Sequence, residues 1–108
     1  MHPSKLRRIT DKEFFEIIKK GYNIVEFGAP WCQACKMIEG ELEDLAKTWN
    51  DKIMFYQIDV SKYPGLSARF GVMSLPNILF FHNSKVVSQL IGSTSKKNLE
   101  TEIKKILK

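Results

Sequence analysis

Cysteine is scarce in this chain: two of 108 residues carry a thiol, so no disulfide framework holds the fold and an apolar core must do so. Long hydrophobic runs are missing too. No stretch approaches the roughly 18 apolar residues of a membrane span, and the opening Met1-His2-Pro3-Ser4 lacks the apolar centre of a secretory signal. As given, the chain reads as soluble and makes no membrane contact of its own; a domain excised from a longer protein with targeting and anchoring segments is the alternative reading. Histidine is limited to His2 and His82, too far apart in sequence to supply the second close pair of ligands that a structural zinc site needs. Acidic residues are outnumbered, 12 against 17 basic, for a net charge of +5. The basic residues are scattered through every segment and form no stripe of the kind that marks a nucleic-acid footprint, so no nucleic-acid partner is expected. Repeats, low-complexity tracts and linkers are also lacking. A single domain over 1–108 remains, with 1–5 expected as a flexible tail, and a hydrophobic share of 44% suffices for one core.

Periodicity supplies the elements. Residues 6–9 read as a short edge strand, and Thr10-Asp11-Lys12-Glu13 is a T-x-x-E capping box opening a helix that buries Phe14, Phe15, Ile17 and Ile18. Gly21 is placed to end that helix. Residues 23–27 form a short apolar run expected as a central strand, with Glu26 its one anomaly. Met37, Ile38, Leu42, Leu45, Ala46 and Trp49 recur at helical spacing and give a helix over about 32–49, which Gly40 can bend. A strand follows at 53–60. Tyr63-Pro64-Gly65 breaks the pattern before a short helix at 66–70 closed by Gly71. Residues 77–82 and 85–91 are β-rich runs separated by Asn83-Ser84, the spacing of a hairpin. A last amphipathic helix turns Leu99, Ile103, Ile106 and Leu107 inward. The order βαβαβαββα predicts an α/β domain with a central mixed β-sheet and helices on both faces.

The two thiols stand as Trp31-Cys32-Gln33-Ala34-Cys35-Lys36, between the apolar strand and the long helix. At the start of a helix, backbone N–H groups lack intrahelical partners and the peptide dipoles add positive potential. A cysteine there has its thiolate favoured, lowering its pKa from about 8.5 toward neutrality. Cys32 holds that position. Cys35, one turn further in, can close a disulfide with it but sits where apolar surroundings keep a thiol protonated. One sulfur attacks and the other resolves.

Ala29-Pro30-Trp31-Cys32-Gln33-Ala34-Cys35-Lys36, Ile58-Asp59-Val60, Phe70-Gly71-Val72, Leu75-Pro76 and Gly92 together resemble the thioredoxin-fold family over nearly the whole chain from Leu6. Within it, Ala29-Pro30-Trp31-Cys32 and Pro64-Gly65-Leu66-Ser67-Ala68-Arg69-Phe70 are most similar to the protein disulfide isomerase branch, and above all to the luminal domain of thioredoxin-related transmembrane proteins. A free-standing cytosolic thioredoxin is the competing identity. The corresponding compartments are the endoplasmic reticulum lumen and the cytoplasm.

The resemblance implies a thiol–disulfide oxidoreductase that reduces or isomerises protein disulfides through Cys32 and Cys35, in exchange with an unidentified electron donor or acceptor. It implies a monomer with no metal or organic cofactor, serving cell redox homeostasis. Pro76 is implied to be a cis-proline against the disulfide. Leu75 would offer its backbone N–H and C=O to an extended substrate, and Trp31, Pro30, Leu75, Ile91 and Gly92 would rim the binding surface. Glu26 would lie beneath Cys35 and take its proton, through water, as that thiol attacks.

Two departures bear on tuning. Gln57 replaces the lysine that usually faces the buried acid, which leaves Glu26 without a cationic partner and harder to ionise. Gln33-Ala34 brings no histidine beside Cys32, which predicts a reducing to intermediate potential. Lys36 can add positive charge near the thiolate. The rival readings are a binding or chaperone module with an idle dithiol, and a metal- or cluster-binding C-x-x-C protein.

Overall fold

The computed structural model describes residues 5–108. Of the tail expected over 1–5, residues 1–4 lie outside the described residues, and the N–H of Lys5 donates to Oε1 of Glu43 at 2.6 Å. The elements run β1 (Leu6–Ile9), α1 (Asp11–Ile17), β2 (Tyr22–Gly28), α2 (Gln33–Trp49), β3 (Ile53–Asp59), α3 (Pro64–Arg69), β4 (Asn77–His82), β5 (Lys85–Ile91) and α4 (Lys96–Ile106). The strands form one sheet in the order β1-β3-β2-β4-β5. β1 and β2 pair parallel with β3, while β4 runs antiparallel to both β2 and β5. The sheet is therefore mixed, and β2 lies at its centre.

Local chemistry explains the element ends. Thr10 Oγ1 accepts the N–H of Glu13 at 3.2 Å and Glu13 Oε1 accepts the N–H of Thr10 at 2.9 Å, a reciprocal cap worth about 1 kcal/mol. α1 stops at Ile17 with Ile18 as its C-cap, earlier than a terminating Gly21 implies. Gly21, at φ 76°, instead turns the chain into β2, and its N–H donates to Asn83 Oδ1 at 2.8 Å. Asn83 and Ser84 both take positive φ, 48° and 74°, the backbone that a two-residue hairpin with the twist of its strands requires.

Two cores sandwich the sheet. On one face α2 and α4 press Ile38, Leu42, Leu45, Leu99 and Ile103 onto Ile24, Phe55, Ile78 and Phe80. On the other, Phe14, Ile18 and Leu66 cover Val25, Phe27, Tyr56, Ile58, Leu79 and Phe81. Strand residues alternate faces with period two, so Glu26 and Gln57 share the face beneath α2. Met37 departs from the expected inward stripe and is 76% exposed, because it sits about 100° round the helix from Ile38. Phe14 meets Phe27, Phe70 and Phe81 edge to face with ring centroids 6.0, 5.3 and 5.5 Å away. That aromatic knot fixes Phe70, and with it the segment leading to Leu75-Pro76.

Candidate active site

The cysteines sit where β2 hands over to α2. The N–H of Val60 donates to the C=O of Gly28 at 2.9 Å, and the N–H of Cys32 to that of Ala29 at 3.1 Å, so the end of the central strand and the turn after it are both tied down. Cys32 is the N-cap of α2, with extended backbone (φ −88°, ψ 106°). Its Sγ accepts the N–H of Cys35 at 3.1 Å, one of the amides that a helix start leaves without a backbone partner. A negative charge on that sulfur would be met by this donor and by the helix dipole. Cys32 and Cys35 are joined in a disulfide with Cα atoms 5.2 Å apart. Cys35 is fully buried and Cys32 half-buried, so an incoming partner reaches Cys32 first.

The residues expected to rim the site come from three segments, before α2, before β4 and at the end of β5. The Leu75-Pro76 bond is cis and Pro76 is buried. The N–H of Gly92 donates to the Pro76 C=O at 2.8 Å, while Ile91 pairs with Asn77 in the sheet; Leu75, Pro76, Ile91 and Gly92 thus share one edge. Ser93 and Thr94, immediately beyond, line a cavity of about 80 Å³ with Ala34 and Met37, which joins that edge to the start of α2. Trp31 and Ile91 are 69% and 65% exposed, large apolar surfaces left to solvent. Leu75 is half-buried, and its N–H and C=O make no hydrogen bond among the described residues. Gln33 and Lys36 are exposed.

Beneath Cys35 the sheet carries a polar row. Glu26 on β2 pairs with Gln57 on β3, which pairs with Arg8 on β1, placing three polar side chains in line across three strands. Glu26 is fully buried; a glutamate pointing to solvent is ruled out. A Cβ added at Gly28 would land on Oε2 of Glu26 and come within 3.3 Å of the Cβ of Cys35, so the Glu26 carboxyl lies directly beside Cys35 in space that only a glycine leaves open. Neither oxygen of Glu26 finds a donor among the described residues. Burial pushes this carboxyl up to about 9, the charge of Glu39 adds to the rise, and Arg8 opposes it. Gln57 does not take up the missing lysine's place: its Oε1 accepts from Arg8 Nε at 2.9 Å. Glu26 is nevertheless not without a cation, since Arg8, from the edge strand, acts on it across the row.

Arg8, Gly28 and Glu39 were not singled out from the sequence. Glu39 carried a readable signal, because it lies four residues after Cys35 and hence on the same side of α2. Arg8 becomes visible only once strand register is known. Arg8, Glu39 and Gln57 line two adjoining cavities at the sheet edge, one of about 240 Å³ that also touches Ala29, Pro30, Lys36 and Asp59, the other about 310 Å³. Among the described residues no three His, Cys, Asp or Glu side chains come together to hold a metal ion, and His2 lies outside them. Among the same residues no helix is long and apolar enough to cross a membrane.

Comparison with known proteins places this arrangement. A family model described as Thioredoxin matches residues 5–105. The thioredoxin of Staphylococcus saprophyticus is 38% identical over 100 residues, spanning 93% of this chain and 96% of the relative, and that of Staphylococcus haemolyticus is 37% identical with the same coverage. The solved structure of Malassezia sympodialis thioredoxin superposes with a TM-score of 0.84 at 25% identity, covering 97% of this chain and 93% of that one.

Proposed function

This chain belongs to the thioredoxin family, and from that premise we propose that it reduces protein disulfides, drawing electrons from a donor that remains to be identified. It is a thiol–disulfide oxidoreductase with the Cys32–Cys35 pair as its redox centre. The observation that carries the proposal is Cys32 Sγ accepting the Cys35 N–H at the mouth of α2, with Cys35 buried behind it. In the reduced protein the Cys32 thiolate attacks a substrate disulfide, one substrate sulfur leaves as thiolate, and a mixed disulfide forms. Cys35 then gives its proton to the buried carboxyl system at Glu26 and attacks Cys32. The Cys32–substrate bond breaks, the second substrate thiol departs, and two electrons have passed from the dithiol to the substrate.

Substrates in this reading dock as extended segments. The N–H and C=O of Leu75, unpaired among the described residues, offer the pairing of an added strand, next to cis-Pro76, with the exposed Trp31 and Ile91 and the backbone at Gly92 as walls. Gln33, Ala34 and Lys36 set the field around the Cys32 sulfur. With no histidine between the cysteines the couple favours reduction over isomerisation. The two staphylococcal relatives are bacterial proteins named thioredoxin, and bacteria have no endoplasmic reticulum; they lend no support to the narrower likeness to the isomerase branch or to luminal domains. The cytoplasm is the compartment this reading favours, with the protein acting as a monomer.

The test is turnover of insulin disulfides with a small dithiol as donor. The reading expects many insulin molecules reduced per protein. Binding without reduction would identify a docking module instead.

A further inference from the structure

A buried carboxyl that holds its own proton is a poor base, and the Glu26 carboxyl is such a group: burial and a neighbouring acid keep it protonated up to about pH 9. For Cys35 to lose a proton through Glu26, the Glu26 proton must have somewhere to go. The oxygens of Glu26 have no hydrogen-bond partner among the described residues; on the helix side stands Glu39, one turn of α2 beyond Cys35 and sharing a cavity wall with Gln57, the β3 partner of Glu26, and its charge acts on the buried acid. Two neighbouring carboxyls can pass a proton between them when one is protonated and the other is not. Glu39 in turn is half-buried, and its other side lines both cavities at the sheet edge. Among the groups that line these cavities, Glu39 is the acid on the Cys35 face of α2, between the sealed carboxyl and open space.

We propose that Glu39 is the outlet of a two-carboxyl proton relay, receiving the proton of Glu26 as Glu26 receives that of Cys35, and releasing it to water in the cleft beside α2. This rests on the disulfide-exchange reading above and adds a positioning residue to it. The step balances. The Cys35 S–H bond breaks and an O–H bond forms at one Glu26 oxygen, the original Glu26 proton passes from the other oxygen to Glu39, and Glu39 loses it to solvent. The electron pair freed on Cys35 makes the bond to Cys32 while the substrate sulfur leaves with the pair of the bond it gives up. No further oxidant is needed, because the substrate disulfide takes both electrons.

The surroundings fit a relay and not a fixed charge pair. On the sheet side Glu26 is flanked by Gln57, whose carbonyl oxygen is engaged by Arg8, and by Ile78. On the helix side it faces Cys35 and Glu39. The absent side chain of Gly28 leaves the carboxyl room beside Cys35. Arg8, Lys36 and Asp59 border the same cleft. The Arg8 guanidinium lowers the cost of negative charge in the pair, and the cleft supplies the exit.

Single-turnover reaction of the reduced protein with a small aromatic disulfide separates the steps, since attack by Cys32 releases one aromatic thiolate and resolution by Cys35 the second. For Glu39→Gln the first release should stay within about twofold of the unaltered protein, and the second should slow about tenfold near neutral pH. In the oxidised variant, the Glu26 carboxyl carbon followed by NMR should titrate about one pH unit lower, because the acid that raises it is gone. Glu39→Asp should restore part of the second release, which an effect on helix packing alone would not do. A second release as fast as or faster than that of the unaltered protein in Glu39→Gln overturns the relay, as does an unmoved Glu26 titration. Glu26→Gln serves as the control. If it slows the second release and Glu39→Gln does not, only the assignment of Glu39 falls. If neither does, Cys35 needs no carboxyl and the proton-transfer part of the parent reading falls with it.

Discussion

Cys35→Ser is expected to turn this protein into a covalent trap, and Cys32→Ser to silence it. With Cys35 replaced, Cys32 keeps its place as N-cap of α2 and the amide at position 35 still points at its sulfur, so attack on a substrate disulfide proceeds. The mixed disulfide then has no internal thiol to resolve it and should accumulate as an adduct that is stable until external thiol is added. Cys32→Ser leaves only the Cys35 sulfur, which is fully buried and out of reach of an incoming disulfide. Turnover should drop by at least about a thousandfold, the scale of losing a covalent nucleophile, and no adduct should form. Non-reducing gel electrophoresis and mass spectrometry after incubation with oxidised insulin distinguish the two outcomes. Reduction that persists in the Cys32 variant would reverse the roles of the two sulfurs.

The second large effect is on stability. Glu26→Gln should make the oxidised protein more stable at neutral pH, although it removes a residue of the active site. The folded state holds the Glu26 proton up to about pH 9 against an ordinary value of 4.5. Between those limits the folded state binds a proton that the unfolded chain has released, so stability falls as pH rises across the window. It is whole below pH 4.5, and the loss is complete above pH 9. At pH 7 the accumulated cost is about 3 kcal/mol. A glutamine of the same shape does not titrate, so denaturation midpoints of the two proteins should nearly coincide at pH 4 to 5 and separate steadily as pH rises. Parallel curves across that range would mean that Glu26 ionises in the folded state as an ordinary carboxylate. The same substitution should slow resolution by Cys35; here stability is given up for chemistry.

The sequence and the structure agree best where residues act locally. The capping box at Thr10 and Glu13, the Asn83-Ser84 hairpin turn and the C-x-x-C at a helix start are each written in four or fewer adjacent residues, and each is found in place. Apolar periodicity likewise carried the strands and the inward faces of α2 and α4. It erred at Met37, where hydrophobicity alone does not tell the core side of a helix from the rim of a site, and at Gly21, where a left-handed glycine serves the next turn and not the helix end. The environment of Glu26 was only partly legible. Its burial followed from a strand without polar alternation, but its neighbours depend on register between β1, β3 and β2 and on which turn of α2 lies above them. Gln57 in place of a lysine suggested an acid without a cation. The register instead sets Arg8 of the edge strand against Gln57, so that its charge acts on Glu26 across the row, an arrangement of residues far apart in sequence that no local pattern encodes.

The account as a whole depends on the electronic state of one sulfur. Ultraviolet titration of thiolate absorbance in the reduced protein, with Cys35→Ser used to isolate the first thiol, measures it directly. Cys32 should ionise at least about one unit below the 8.5 or so of a free cysteine, because the Cys35 amide and the dipole of α2 both favour its anion. A Cys32 that titrates together with free cysteine would contradict this, leaving a helix start that holds the sulfur without activating it.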